Sequence, residues 1–322
     1  MNVSYILRLV CLSLASFFLI HLAAGLLVSL VSPAAVRFSL RIGAGGAARF
    51  LLILRLFPAG AALLLVTGLC VPSYLWLEPA GATEDIGLWC LGAAVLAVAV
   101  WGISVARAGR AVVGSFRYIR HCQEVGRQAG GAIWVVESAA PVLGLAGIIR
   151  PRLVMSQGLV SALSEDQLAV VVRHERAHGV SRDNLKRLLI LLAPDVFPFV
   201  RGFGALERGW AKFTEWSADD RAVAGNSRRS LSLAAALVRV ARMSPAPEGS
   251  PLVASLLADG RDLSARVDRL LSMSIAPQRK GGRRMPLLAA GATVMLAVGL
   301  IAAALEPSTF HSVHELLEHL VR

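Results

Sequence analysis

Four long apolar runs restrict what this chain can fold into: residues 5–31, 56–77, 86–105 and 286–305. A helix crosses a bilayer with about 20 mostly apolar residues, and each run reaches that length. Hydrophobic residues make up 56% of the 322 positions and charged residues only 17%, too little polar surface to cover a soluble protein of this size. Part of the apolar surface must therefore meet lipid. The first run exceeds the apolar core of a cleaved leader and reads as a retained span. Trp76, Trp89 and Trp101 fall near span ends, where aromatic rings favour the interface.

The charges between the runs predict an orientation. Arg37, Arg41, Arg49 and Arg55 separate the first two runs, whereas Glu78, Glu84 and Asp85 separate the second and third. Arg107, Arg110, Arg117 and Arg120 follow the third run, and Arg279, Lys280, Arg283 and Arg284 precede the fourth. Basic segments stay on the cytoplasmic side, which predicts a cytoplasmic 107–285 region with the N-terminus and the 306–322 tail outside. Arg8 is the one charge against this topology. The net charge of +12 is spread along the flanks of apolar runs instead of forming a basic stripe with interleaved aromatics. The predicted partner is thus the bilayer and not nucleic acid. Cys11, Cys70, Cys90 and Cys122 have no metal-ligand spacing and read as small packed hydrophobes.

Only 107–285 is long and polar enough for an aqueous domain. Ile133–Val136 and Arg152–Ser156 read as strands, joined through a Pro141–Gly147 loop. Arg229–Arg242 and Leu263–Leu271 read as amphipathic helices, and Leu188–Val200 as a buried core helix in preference to an interfacial dip. The predicted fold class is mainly α: four spans with an α+β domain inserted between the third and fourth.

Within that domain, Ser164-Glu165-Asp166-Gln167 has a capping-box pattern and starts a helix that ends near Gly179. The helix carries His174-Glu175-Arg176-Ala177-His178. Residues four apart share a helix face, so His174 and His178 can hold one metal ion, a single Zn2+ per chain. Glu175 lies about 100° around the helix, placed to act as general base and not as ligand. A catalytic zinc needs a third protein ligand. Glu215 is the candidate, and Asp219, one turn further, can orient a ligand histidine. Asp183 and Asp220 read as salt-bridging or capping residues, and His21 and His121 as structural. For the oxyanion, Arg182, Arg221 and a backbone N–H all stay open. The strand Leu153–Ser156 is a candidate edge for an extended substrate. Together these residues predict a zincin-like metallopeptidase domain that hydrolyses peptide bonds.

Beyond the metal motif, this arrangement resembles the BlaR/MecR-type antirepressor metallopeptidases of bacteria, most clearly over residues 140–272. Gly147-Ile148-Ile149-Arg150-Pro151-Arg152-Leu153-Val154-Met155 is similar to that family's strand before the zinc helix. Leu163–Leu168, Ser181-Arg182-Asp183-Asn184, the Glu215–Asp219 pair and Arg266–Leu271 follow its pattern as well. The resemblance implies a protease of the bacterial inner membrane whose protein substrate is a cytoplasmic transcriptional repressor or the protease itself. About 17 residues follow the fourth span, too few for the external penicillin-binding domain of the best-known members, so a β-lactam trigger is not expected. The tail, with His311, His314, Glu315, Glu318 and His319, reads as an amphipathic interfacial helix, with metal or pH sensing as the alternative. The competing readings are a quality-control protease of the HtpX or CAAX type and a catalytically silent membrane scaffold. Intact Glu175 argues against the scaffold.

Overall fold

A computed structural model describes residues 3–78, 86–128, 133–138, 141–195, 201–243, 254–255, 263–275 and 306–321. Among the described residues, three helices are long and apolar enough to cross a membrane: Tyr5–Ser39, Ala44–Leu77 and Leu88–Val125. The expected fourth span, 286–305, and the basic segment before it lie outside the described residues. Helix α1 is Val3–Ser39. Helix α2, Ala44–Leu65, passes through a π-turn at Val66–Cys70 into α3, Val71–Leu77. Helix α4 is Leu88–Val125.

All three are longer than the apolar runs that marked them. The 38 residues of α4 extend about 57 Å, against about 30 Å of bilayer hydrocarbon. An apolar run records where lipid contact stops, whereas backbone hydrogen bonding continues for as long as something packs against the helix. The 32–55 segment is accordingly not a loop. α1 runs to Ser39, and α2 begins four residues after Leu40.

Two arginines of the membrane region are buried in ion pairs. Arg8 donates to Glu78 Oε1 at 3.0 Å, which sets the start of α1 beside the end of α3 and satisfies the charge that opposed the topology. Arg55 donates from Nε to Glu207 Oε1 at 2.8 Å, its guanidinium 4.7 Å from the Phe203 ring centre. All four cysteines are free, and three of them are buried.

The remaining helices are α5 (Gln157–Ala162), α6 (Glu165–Ser181), α7 (Asp183–Leu192), α8 (Arg201–Val223), α9 (Ser227–Arg242), α10 (Leu263–Ile275) and α11 (Pro307–Val321). The strands are β1 (Gly126–Gln128), β2 (Ile133–Val136), β3 (Leu143–Ala146), β4 (Arg152–Ser156) and β5 (Ala254–Ser255), in sheet order β1-β2-β4-β3-β5. Among the described strands, β2 and β4 pair in parallel and the other pairs are antiparallel.

Two sequence expectations fail here. The Pro141–Gly147 loop contains β3, whose register pairs Leu143 with Met155 and Ala146 with Arg152. Strand β4 has neighbours on both sides, so its backbone groups are already paired and it offers no edge to a substrate. Helix α7 stops at Leu192, two residues before Pro194, and Ile190 is buried against α8; residues 196–200 lie outside the described residues.

Alternation along β4 divides the sheet between two cores. Leu153 and Met155 face α6, α9 and α10, while Val154 faces Tyr118, Ile119 and Cys122 at the end of α4. A third core joins the long helices to α8: Val28, Ala47 and Leu51 pack with Phe203, Leu206, Trp210 and Phe213. At Gly202 an added Cβ would sit 2.8 Å from Ser29 Cα, so glycine permits the closest approach of α8 to α1.

Candidate metal centre and active site

Helix α6 begins as its sequence dictates. Ser164 Oγ accepts from the Gln167 N–H at 3.4 Å, and Gln167 Oε1 accepts from the Ser164 N–H at 3.1 Å. The apolar face of α6, with Val170 and Val171, packs onto the sheet and carries His174, Glu175 and His178 to positions at most 2% exposed.

The helix ends at Ser181 because Arg182 adopts a left-handed conformation, φ 54°. That single residue reverses the chain into α7 and returns Asp183 to the helix it has just left, where His178 Nδ1 donates to Asp183 Oδ2 at 2.8 Å. Asn184 holds the turn to the sheet, its amide donating to Leu145 O at 3.0 Å and Gly147 O at 2.8 Å. Asp183 therefore belongs to the site, against the sequence reading that set it aside. Asp220 conforms to that reading and pairs with Arg269 at 2.5 Å.

Helix α8 lies across α6 and brings Glu215 and Asp219 to the histidines. His174 Nε2 is 3.4 Å from Glu215 Oε2, His178 Nε2 is 3.6 Å from Glu215 Oε1, and the two Nε2 atoms are 3.1 Å apart. The three residues thus offer ligand atoms that all lie within 4.8 Å of one another. Tetrahedral zinc with nitrogen and oxygen ligands implies ligand-to-ligand edges of about 3.3–3.5 Å, which this triangle approaches. The outer nitrogens face carboxylates, His178 Nδ1 facing Asp183 and His174 Nδ1 lying 2.9 Å from Asp219 Oδ1, though the latter pair is not aligned as a hydrogen bond. That arrangement points both Nε2 atoms inward.

Arg266 on α10 is a member of this cluster that the sequence reading did not assign to the site. It donates to Asp219 Oδ2 from Nε at 3.0 Å and to Oδ1 from Nη2 at 2.7 Å, and its Nη1 is 3.1 Å from Glu215 Oε2. A lone arginine between Leu263, Val267 and Leu270 on the apolar face of α10 was the available signal.

The electrostatics favour a cation. Among the described residues, Arg266 and Lys186 are the fixed positive partners of the carboxylates of Asp183, Glu215 and Asp219. Burial would lower the pKa of His178, but Glu215 and Asp183 push it up to about 10. Burial would raise Glu215, yet His178 and Arg266 hold it well below the usual carboxylate range. Glu175 is pushed up by burial, partly offset by the two histidines. Both Glu175 carboxylate oxygens are buried without a hydrogen-bond partner, as suits a group that handles a proton from a bound reactant. On donor type, spacing and charge, the residues fit a divalent zinc-class ion.

A cavity of about 370 Å3 adjoins the site between the start of α2, the α6–α7 turn and α8, lined by Arg49, Asp183, Lys186, Thr214, Ser217 and Arg221 among others. Arg221 donates to Ser181 Oγ and, at 3.4 Å, to Ala177 O, so it caps the end of α6. Arg182 is exposed in the turn.

Comparison with curated proteins returns no match. Residues 142–244, from the residue before β3 to just beyond α9, match the family model described as Peptidase family M48. That third of the chain, which holds the paired histidines, Glu175, Glu215 and Asp219, is what makes this protein similar to Peptidase family M48.

Proposed function

We propose that this protein is a membrane-embedded zinc endopeptidase in which His174, His178 and Glu215 hold one Zn2+ and Glu175 is the general base. The observation that carries the reading is the buried convergence of these three ligand-type residues next to an unpartnered Glu175 carboxylate. The similarity of residues 142–244 to Peptidase family M48 supports it.

A zinc ion bound there supplies a Lewis acid that acidifies water and polarises the scissile carbonyl. Glu175 takes the proton from the attacking water and returns it to the leaving amine. Burial raises its pKa, which makes the carboxylate a stronger proton acceptor. Asp183 fixes His178, and Asp219 stands against His174 while Arg266 anchors the carboxylate. Glu215 retains 12% side-chain exposure, more than either histidine.

We further infer regulated proteolysis on the cytoplasmic face of a bacterial inner membrane, with a protein substrate such as a transcriptional repressor or the enzyme itself. Among the described residues, the interval between His178 and Glu215 holds α7 and the first part of α8 and no membrane-crossing helix. That favours the antirepressor arrangement over the HtpX or CAAX type.

The deciding experiment pairs zinc content with proteolysis in the purified full chain. Glu175→Gln should keep zinc while cleavage falls by about 10²–10⁴-fold. Cleavage at the wild-type rate in that variant rejects the assignment of Glu175.

A further inference from the structure

A second set of ligand-type side chains converges far from the site above. Glu78, the residue after α3, and His314 and Glu318, one turn apart on α11, each offer an atom within 4.8 Å of the other two. His314 Nε2 lies 3.7 Å from Glu78 Oε2 and 3.5 Å from Glu318 Oε1. Both distances are too long for hydrogen bonds. They are close to the edges of a ligand set around one ion, about 3.3–3.5 Å for zinc, and they match the 3.4 and 3.6 Å that separate the histidines from Glu215.

Three further features make this more than a surface cluster. The side chains of Glu78 and His314 are only 10% and 15% exposed. His314 Nδ1 is buried without a partner, and Nε2 is the nitrogen that faces both carboxylates. A cavity of about 10 Å3, room for one water-sized occupant, is lined by these three residues with Arg8, Leu12, Tyr74 and Leu317. Arg8 binds Glu78 Oε1 and leaves Oε2 for the cavity. Among the described residues that line the cavity, two carboxylates stand against one arginine.

We propose that Glu78, His314 and Glu318 bind one divalent first-row transition ion, of the class that prefers imidazole and carboxylate ligands, and that this ion clamps α11 to the end of α3. The contacts around it suit a clamp. Ser73 Oγ donates to Phe310 O at 2.7 Å, the Trp76 and Phe310 rings lie 5.1 Å apart at a tilt of 55°, and Leu317 is buried against the start of α1 and α3. Glu78 lies one residue beyond the continuous Ala44–Leu77 helix, about 50 Å from Gly45, whose Cβ position is 3.2 Å from Ser217 Oγ on α8. The clamp therefore sits at one end of a helix whose other end touches the element that carries Glu215.

The test is zinc stoichiometry of the purified full chain in detergent, equilibrated with buffered free zinc. Two zinc ions per chain are expected, falling to one in Glu318→Gln, where tail affinity drops at least about tenfold. Glu318 is nearly half exposed and the change is isosteric, so folding is not at stake. His178→Ala should also retain one ion, and that ion should be lost when Glu318→Gln is added. A single zinc lost on Glu318→Gln but not on His178→Ala supports the clamp even if the catalytic assignment fails. A single zinc insensitive to Glu318→Gln overturns the clamp, as does tail docking that follows pH and ignores zinc, the signature of a plain histidine–carboxylate ion pair.

Discussion

His178 Nδ1 donates to Asp183 Oδ2 across 2.8 Å, although the two residues belong to different helices. The contact exists because Arg182 alone turns the chain, so the first residue of α7 faces the last histidine of α6. Lys186 Nζ holds the other carboxylate oxygen at 2.8 Å. The pair keeps a proton on His178 Nδ1, so Nε2 is the nitrogen that a metal ion would take.

Asp183→Asn should therefore weaken zinc binding by about 10–100-fold with little change in fold, because asparagine still fills the turn but no longer favours a basic imidazole. Competition with a chelator of known affinity measures it. Zinc affinity equal to wild type would remove Asp183 from the site.

Arg266→Ala removes the partner of two buried carboxylates, Asp219 and Glu215. Leaving buried charges unpaired costs about 3–5 kcal/mol, so the metal-stripped protein should lose most of its thermal stability. Zinc should recover part of that loss by neutralising Glu215. Arg228→Ala is the control: it and its partner Asp166 are 82% and 62% exposed, and about 0–1 kcal/mol is expected.

Metal binding should be strongly pH-dependent. His178 titrates at about 10 in the stripped protein against an ordinary value of 6.5. Its contribution to stripped-protein stability is complete below pH 6.5 and is lost as pH rises toward 10. Zinc binding must expel that proton, so affinity should rise about tenfold per pH unit between pH 7 and 9. The gap in melting temperature between loaded and stripped protein should widen with pH; a constant gap contradicts a protonated His178.

Gly202→Ala should separate α8 from α1, since its Cβ would lie 2.8 Å from Ser29 Cα and 2.9 Å from Ser29 Cβ. A loss of about 1–3 kcal/mol is expected. Gly109→Ala in α4 meets nothing within 4 Å and should be neutral or stabilising by up to about 1 kcal/mol. Detergent melting curves of the two variants compare them directly.

What could be read in the sequence was what depends on local pattern. The Ser164 cap, the His174–His178 face, the Glu215–Asp219 turn and the amphipathic faces of α9 and α10 each follow from spacing within one helix. What could not be read depends on partners distant in sequence. Leu143-Gly144-Leu145-Ala146 has no β-branched residue and sits between Pro141 and Gly147; it becomes a strand through pairing with β4. Arg266 lies 47 residues beyond Asp219; its place on the apolar face of α10 marks it as unusual, but names no partner. Asp183 reads as a salt-bridging or capping residue, and it does pair with Lys186; only the left-handed Arg182 reveals its contact with His178.

The shared core of α1, α2, α7 and α8 bears on how this protein can be divided. A fragment cut at 107–285, where the sequence suggests a self-contained domain, would strip Val28, Ala47 and Leu51 from Phe203, Leu206, Trp210 and Phe213. It would then present a large aromatic surface to water on the helix that carries Glu215. Truncation at the span boundaries should yield aggregation, and a soluble version needs that face of α8 recoated with polar residues. The piece that folds is larger than the piece that reacts.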